Sequence, residues 1–366
     1  MRFFNDKISL GQLQALLVLD LFGTGVITVP RVAARFGGAD GWLVVLVSVL
    51  VMLLCTYLVA SAGRLFPEDS FVSYSGKLLG RPLGIALGLG LVAKILLGIA
   101  IEVRIFIEVV RETMLATTPY VVIFAAIIGV AAYAAGKGFE TRARLAELLI
   151  PLVFLPFVGV MFLAALGADY TNLLPVLRAS QPRYIVSGGL TIALGYKGIE
   201  YLLLAHPYVE RPEGLRRASL RAVAATGALV LVSTIITLAT FGAEGLSHQR
   251  WPFLEVMDTI SFPGAFVERQ DAVIMSVWVI SVFAIMSSGL FFSAIVLKDT
   301  VRRGRRFYYV LGCIPVVYVV SVIPKSIVVL GEGVLGHVFM GSNVVYTLLL
   351  PVLIILVAGL RRRSGA

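Results

Sequence analysis

Two stretches of this 366-residue chain combine residue types able to bind a small polar molecule in apolar surroundings. The first is Phe22-Gly23-Thr24-Gly25-Val26-Ile27-Thr28-Val29-Pro30, where a Gly-x-Gly and a proline fall inside a long apolar run. The second is Thr191-Ile192-Ala193-Leu194-Gly195-Tyr196-Lys197-Gly198-Ile199-Glu200, where two glycines flank a lysine. Inside a helix Gly costs about 1 kcal/mol relative to Ala and Pro about 3. Backbone freed from its helix at bilayer depth must be buried in protein or line a cavity. Such breaks expose opposed helix ends: N-termini that offer amides to a carboxylate and C-termini that offer carbonyls to an ammonium group or cation. An α-amino acid satisfies both at once. For Gly23-Thr24-Gly25 alone, close helix packing by small residues is an equally good reading.

Charge supplies the second ingredient. Lys197 near the centre of an apolar segment costs about 2.5 to 3.5 kcal/mol on insertion scales, so it is expected to face protein or water. Lys94, Gly98 and Glu102 are spaced by four, hence on one helical face, and are expected to line a central cavity. Arg104, Glu108, Arg111 and Glu112, further along, read as internal ion pairing near the outer end. Ser281, Ser287 and Ser288 offer hydroxyls; Ser287 and Ser288 form a candidate cation site, although packing and backbone bonding are commoner uses of Ser in membranes. Asn343, Tyr346, His206 and His337 are placed at interfaces. No metal site or cofactor is expected from three scattered histidines and two cysteines, Cys55 and Cys313, that lie within apolar spans.

The elements that must position these residues follow from composition. With 59% hydrophobic and 14% charged residues and a mean hydropathy of +0.95, the chain reads as an integral membrane protein rather than a soluble domain. Segments of about 20 apolar residues indicate helices, and no ten-residue alternation indicates a barrel. The fold class is therefore all-α, with about ten spans: 10–31, 42–63, 83–110, 119–135, 145–167, 184–204, 220–242, 272–297, 307–323 and 343–360. The N-terminal segment reads as the first span rather than a signal peptide. The net charge of +10 sits in short clusters between spans, as the positive-inside effect would place it, so no nucleic-acid partner is expected. Counting Lys and Arg on alternate sides puts both termini in the cytoplasm. The acidic loop between Glu244 and Asp271, with Trp251-Pro252-Phe253 and Phe262-Pro263, reads as a short interfacial helix facing outward.

The two breaks fall in the first and sixth spans, the first members of two groups of five. An odd number of helices per repeat inverts the second copy, and matching interruptions are the best sequence pointer to a transporter binding site. The expected organisation is a single transmembrane domain over 1–366, with a first five-helix repeat at 10–167 and a second at 184–360.

The order of short motifs then resembles the spore germination permease family, the B subunits of nutrient germinant receptors, within the amino acid-polyamine-organocation superfamily. The likeness rests on Ile8-Ser9 with Gln12, Phe22-Gly23-Thr24-Gly25 with Pro30, Asp40-Gly41-Trp42-Leu43, and Phe66-Pro67 with Ser70-Phe71. It continues through Leu79-Gly80-Arg81-Pro82-Leu83-Gly84, Thr118-Pro119, Ala132-Tyr133-Ala134 with Gly138 and Glu140, Ala146-Glu147-Leu148 with Pro151, and Asn172-Leu173-Leu174-Pro175. The resemblance implies a leucine-transporter-type (LeuT-type) fold of five plus five inverted helices with broken helices 1 and 6. It also implies a small-molecule site at the breaks, commonly for an amino acid, and assembly with an A subunit and a lipoprotein C subunit among the lipids of the spore inner membrane. The fifth span has no charge after Glu147, so it lacks the lysine that stands in for sodium in some proton-coupled relatives.

On this reading a germinant binds where spans one, three, six and eight meet. Gly23, Thr24 and Gly25 give amides and a hydroxyl to its carboxylate. Gly195, Tyr196 and Gly198 give carbonyls and an aromatic wall, while Lys197, Lys94 and Glu102 set charge selectivity. An amino-acid symporter needs the same pocket, and a scaffold or an ion and water conduit is a third option. An enzyme is the least expected, because no nucleophile–base pair is apparent.

Overall fold

The structure, a computed structural model, describes residues 6–177, 180–259, 270–324 and 333–363. The apolar runs form α1 (Leu10–Gly37), α2 (Gly41–Arg64), α3 (Phe71–Leu79), α4 (Arg81–Thr113), α5 (Tyr120–Lys137), α6 (Phe139–Gly167) and α7 (Pro182–Gly195). They continue as the single turn α8 (Leu202–Ala205), then α9 (Leu215–His248), α10 (Pro252–Thr259), α11 (Gln270–Val301), α12 (Arg306–Val322), α13 (Val334–Asn343) and α14 (Leu350–Arg363). A π-helical stretch, Val344–Leu349, joins α13 to α14.

Each of the ten expected spans is mainly helical over its described residues, the sixth being interrupted at Tyr196–Gly198. Among the described residues seven helical stretches are long and apolar enough to cross a membrane; the shorter apolar helices include Leu10–Gly23 and Arg306–Val322. Local chemistry sets the ends. Ser9 caps α1 in a reciprocal box: its Oγ accepts from Gln12 N (3.1 Å) and Gln12 Oε1 accepts from Ser9 N (3.0 Å). Gly138 turns the chain from α5 into α6 at φ 111°, a conformation that glycine adopts without a Cβ penalty.

The central elements are α1, α4 and α11. Helix α1 packs mainly on α9, α2 on α7 and α9, and α11 on α4, α5 and α1. Helix α6 turns Leu148, Leu152, Leu155, Phe162 and Leu166 outward, as a lipid-facing surface would. The N-terminal segment is tied across the bundle by Ile8 N to Tyr208 O (2.8 Å) and Glu210 N to Ile8 O (3.0 Å). The expected helix of the acidic loop is α10, but Trp251 and Phe253 are buried, and Phe253 lies against Phe157 with ring centroids 5.4 Å apart. Phe262 and Pro263 lie outside the described residues.

The first expected break requires correction. Gly23-Thr24-Gly25 does not end the helix, which runs from Leu10 to Gly37 with Pro30 inside it. The glycines instead permit close approach. A Cβ on Gly23 would lie 3.0 Å from Ser281 Cβ, and one on Gly25 would overlap the Tyr196 hydroxyl. Trp278 Nε1 also donates to Gly23 O at 3.0 Å. The packing reading of this motif is the one the backbone realises, and small residues at such contacts are a general membrane device.

Candidate functional site

The second expected break is present. Helix α7 stops at Gly195, Tyr196 is extended (φ −69°, ψ 147°), and Gly198 is left-handed (φ 107°) before the chain resumes at Ile199–Tyr201 as a 3-10 turn. Only glycine adopts that left-handed angle without strain. Helix resumption at α8 lasts one turn, so backbone polar groups from Leu194 to Tyr201 need other partners. Asn343 on α13 supplies two of them: its Nδ2 donates to Leu194 O (2.6 Å) and Tyr196 O (2.9 Å). Gly198 N donates to Glu200 Oε2 (3.0 Å), and Gly198 O accepts from Tyr201 N (3.1 Å).

Charge converges on this segment. Lys197 Nζ bonds Glu102 Oε2 at 2.8 Å, and Lys94 Nζ pairs with Glu200 Oε1. Lys94 and Lys197 flank Phe339 of α13, 5.2 and 5.7 Å from its ring centroid. Gly98 makes room for this arrangement: a Cβ there would sit 3.0 Å from Phe339 Cε2 and 3.6 Å from Lys197 Cδ. The expected face Lys94, Gly98 and Glu102 is thus assembled against the break.

A second ionic group adjoins the first. Ser288 Oγ donates to Asp20 Oδ1 at 3.0 Å, Arg142 Nε donates to Ser287 Oγ at 3.1 Å, and another guanidinium nitrogen of Arg142 bonds Ser288 Oγ. The hydroxyls of the candidate cation site, Ser287 and Ser288, therefore carry a cation that belongs to the chain itself. Asp20, Lys94, Glu102, Arg142, Lys197 and Glu200 are all at most 5% exposed. They carry three charges of each sign. A neutral set whose members pair with one another is how ionised groups persist at membrane depth.

Of the sequence-expected residues, Lys94, Gly98, Glu102, Tyr196, Lys197 and Gly198 meet in one place. Gly23 and Gly25 reach it through Ser281 and Tyr196, and Gly195 has open space where a side chain would stand. The side chain of Thr24 lies outside the described residues. Four placements are corrected. Asn343, Tyr346 and His206 are buried rather than interfacial: Tyr346 Oη donates to Leu87 O (2.9 Å), and His206 Nδ1 lies 3.1 Å from Leu202 O. Arg142, counted with the basic clusters between spans, points into the protein. Asp20, Glu200 and Phe339 were missed as site residues. A carboxylate isolated in an apolar run was a usable signal for Asp20, whereas nothing local singles out one more Phe.

The arrangement sets two buried lysine–glutamate pairs beside an interrupted helix. Among the described residues no group of three His, Cys, Asp or Glu is placed to hold a metal ion.

Comparison with known proteins decides the family. A family model described as "Spore germination protein" matches residues 7–328. The chain belongs to the spore germination protein family. Relatives within it include spore germination protein YndE of Bacillus subtilis (strain 168), 24% identical over 366 residues that cover 98% of each chain. Another is GerQB of Bacillus cereus, 27% identical over 270 residues and 72% of each chain. Among solved structures, that of MhsT in complex with L-phenylalanine superposes with a TM-score of 0.74 at 17% identity, covering 94% of this chain and 87% of that one. This spore germination protein is therefore a multi-pass, all-α membrane protein with the LeuT-type fold.

Proposed function

We propose that this chain is the membrane-embedded germinant-sensing subunit of a spore germination receptor, and that it binds an amino acid at the Tyr196–Gly198 interruption facing α4. The observation that carries the proposal is the neutral, buried set Lys94–Glu200 and Lys197–Glu102 around Phe339, at the end of a stopped helix. A zwitterion can take over both halves of such a set. Its carboxylate replaces a glutamate on Lys94 or Lys197, its ammonium replaces a lysine on Glu102 or Glu200, and the net charge of the site does not change. Tyr196 forms one wall. Gly23 and Gly25 act by bringing α11 and Tyr196 close, because their amides are engaged within α1. Binding then favours whichever conformation separates the internal pairs, by no more than the ligand's differential affinity for the two states. The amino-acid class is in keeping with the phenylalanine bound by MhsT.

Under this proposal the chain assembles with an A subunit and a lipoprotein C subunit in the spore inner membrane. Both termini are cytoplasmic, the repeats span 10–167 and 184–360, and the chain catalyses no reaction. A second reading, an amino-acid symporter, is favoured by the same fold and by the Asp20–Ser288–Arg142 group. There the guanidinium occupies Ser287 and Ser288 in place of a coupled cation.

The test is binding of an amino-acid panel to the purified chain by thermal shift and calorimetry, repeated on Gly25→Leu and Lys197→Met. Loss of binding in folded variants is expected; unchanged affinity in both places the site elsewhere. Gradient-driven uptake of labelled amino acid into liposomes containing this chain alone would replace the sensor reading with the symporter.

A further inference from the structure

Away from the central ionic groups, the ends of α3, α4 and α11 enclose a cavity of about 580 Å³. Five basic side chains line it, Lys77, Arg81, Lys298, Arg302 and Arg303, with one carboxylate, Asp299. The walls are built by close packing. A Cβ on Gly84 would lie 2.7 Å from Gly76 Cα, so α3 and α4 touch backbone to backbone. One on Gly88 would meet Val72 at 2.8 Å and Val296 at 3.3 Å, so α11 closes the third side. Beyond Val301 the chain turns sharply, with Arg302 at φ 59° and Gly304 at φ 78°, which places two consecutive arginines at the rim.

The positive charge here is only partly neutralised. Lys77 is held by Asp69 at 2.7 Å, and the single carboxylate of Asp299 is shared electrostatically by Lys298 and Arg302. Among the described residues no carboxylate stands within ion-pair distance of Arg81, Lys298, Arg302 or Arg303. Arg361 adds a further cation behind the wall, donating to Lys77 O (2.9 Å) and Leu78 O (3.1 Å). Guanidinium forks match phosphate geometry, and a concave group of them between membrane helices is a site for an anionic headgroup.

We infer that this cavity binds a phosphate-bearing anion, and that its occupant is the headgroup of an anionic phospholipid. The choice of lipid over a soluble anion rests on the rim. Leu83, two residues after Arg81, is 56% exposed, and Val301, beside Arg302, is 52% exposed. Apolar side chains thus stand outward next to the cations, where acyl chains would run beside a headgroup seated among them. A bound lipid would bridge α3 and α4 to α11, clamping the elements that flank the ionic site.

The test uses the full chain, purified and delipidated in detergent. Native mass spectrometry compares short-chain phosphatidylglycerol with phosphatidylcholine and with inorganic phosphate, on the wild type, on Arg81→Gln/Arg302→Gln/Arg303→Gln, and on Arg144→Gln/Arg217→Gln/Arg221→Gln as an equal charge loss elsewhere. Each cation lost near an anionic headgroup weakens binding about fivefold, so the first variant should retain phosphatidylglycerol on the order of 100-fold less, and the control should match the wild type. Equal loss in both variants, or no preference for phosphatidylglycerol in the wild type, overturns the site. Full competition by inorganic phosphate at the lipid's own concentration overturns the lipid in favour of a soluble anion. Should the first variant fail to fold, photoactivatable phosphatidylglycerol on the wild type decides: labelling is expected within 70–85 and 298–304, and labelling confined to other peptides refutes the proposal.

Discussion

Replacing Lys197 by Met removes one partner of a buried ion pair and keeps the volume nearly constant. The surviving Glu102 carboxylate is 2% exposed, and it loses an ammonium 2.8 Å away. At that separation the direct attraction is about 6 kcal/mol for an effective dielectric near 20. Burial of the two ions opposes most of it. Breaking one side of such a pair typically costs about 3 to 5 kcal/mol, whereas removing both partners is close to neutral. Lys197→Met alone should therefore lower stability by about that amount, and Lys197→Met/Glu102→Gln should recover more than half of the loss. The assay is reversible unfolding of the purified chain in mixed micelles, with the two single variants and the double variant forming a cycle. Addition of the two single losses in the double variant, or a Lys197→Met cost below about 1 kcal/mol, would refute the internal pairing. The neighbouring Lys94–Glu200 pair is left intact in every arm, so the cycle reads one pair.

Two further perturbations address the packing around the break. Gly25→Ala places a methyl group on the Tyr196 hydroxyl and 3.1 Å from Val230 Cγ2. It should cost about 1 to 3 kcal/mol, of which Tyr196→Phe in the same chain restores a part; additive losses would show that the two residues do not touch. Asn343→Ala strips the donor from Leu194 O and Tyr196 O and should cost about 1 to 3 kcal/mol in the same unfolding assay. Asn343→Asp should lose at least as much, because a carboxylate would face two carbonyls; a stability equal to wild type would refute this role.

The bundle was legible because lipid imposes one-dimensional rules: apolar runs of the right length become helices whatever else they do. The Lys94, Gly98 and Glu102 face was legible for a similar reason, since spacing by four fixes a face within one helix. Glycine was ambiguous. Gly198 is needed for its left-handed backbone, while Gly23 and Gly25 are needed because Ser281 and Tyr196 come close, and both demands write the same residue. Only distances between helices separate the two cases. Arg142 shows the reverse difficulty. In sequence it belongs with Lys137 and Arg144 as one more basic residue at a span boundary, but the turn at Gly138 starts α6 so that Arg142 faces Ser287 and Ser288, some 145 positions later in the chain. Asn343, Tyr346 and His206 were misplaced because polar residues near span ends were assigned to water, whereas each answers a backbone carbonyl inside the protein.

The interruption and the charges explain one another. Lys197 and Glu200 are three positions apart, and in an unbroken helix they would be surface neighbours able to pair with each other. The left-handed turn at Gly198 separates them, so that Lys197 reaches Glu102 and Glu200 reaches Lys94. The two partner residues on α4, Lys94 and Glu102, are eight positions apart, about 12 Å along that helix. The short irregular segment is thus fastened to α4 at two points more than two turns apart, with Phe339 between the lysines. Releasing either fastening separates a buried ion pair in an apolar interior, which costs free energy. Under the proposed function a zwitterion would offset this penalty, because it brings a carboxylate for the lysine and an ammonium for the glutamate in the same molecule. A purely anionic or cationic solute compensates one stranded charge and leaves the other. Under the proposed function, discrimination for amino acids over their decarboxylated or deaminated analogues would follow from the crossed pairing itself, before any side-chain pocket is considered.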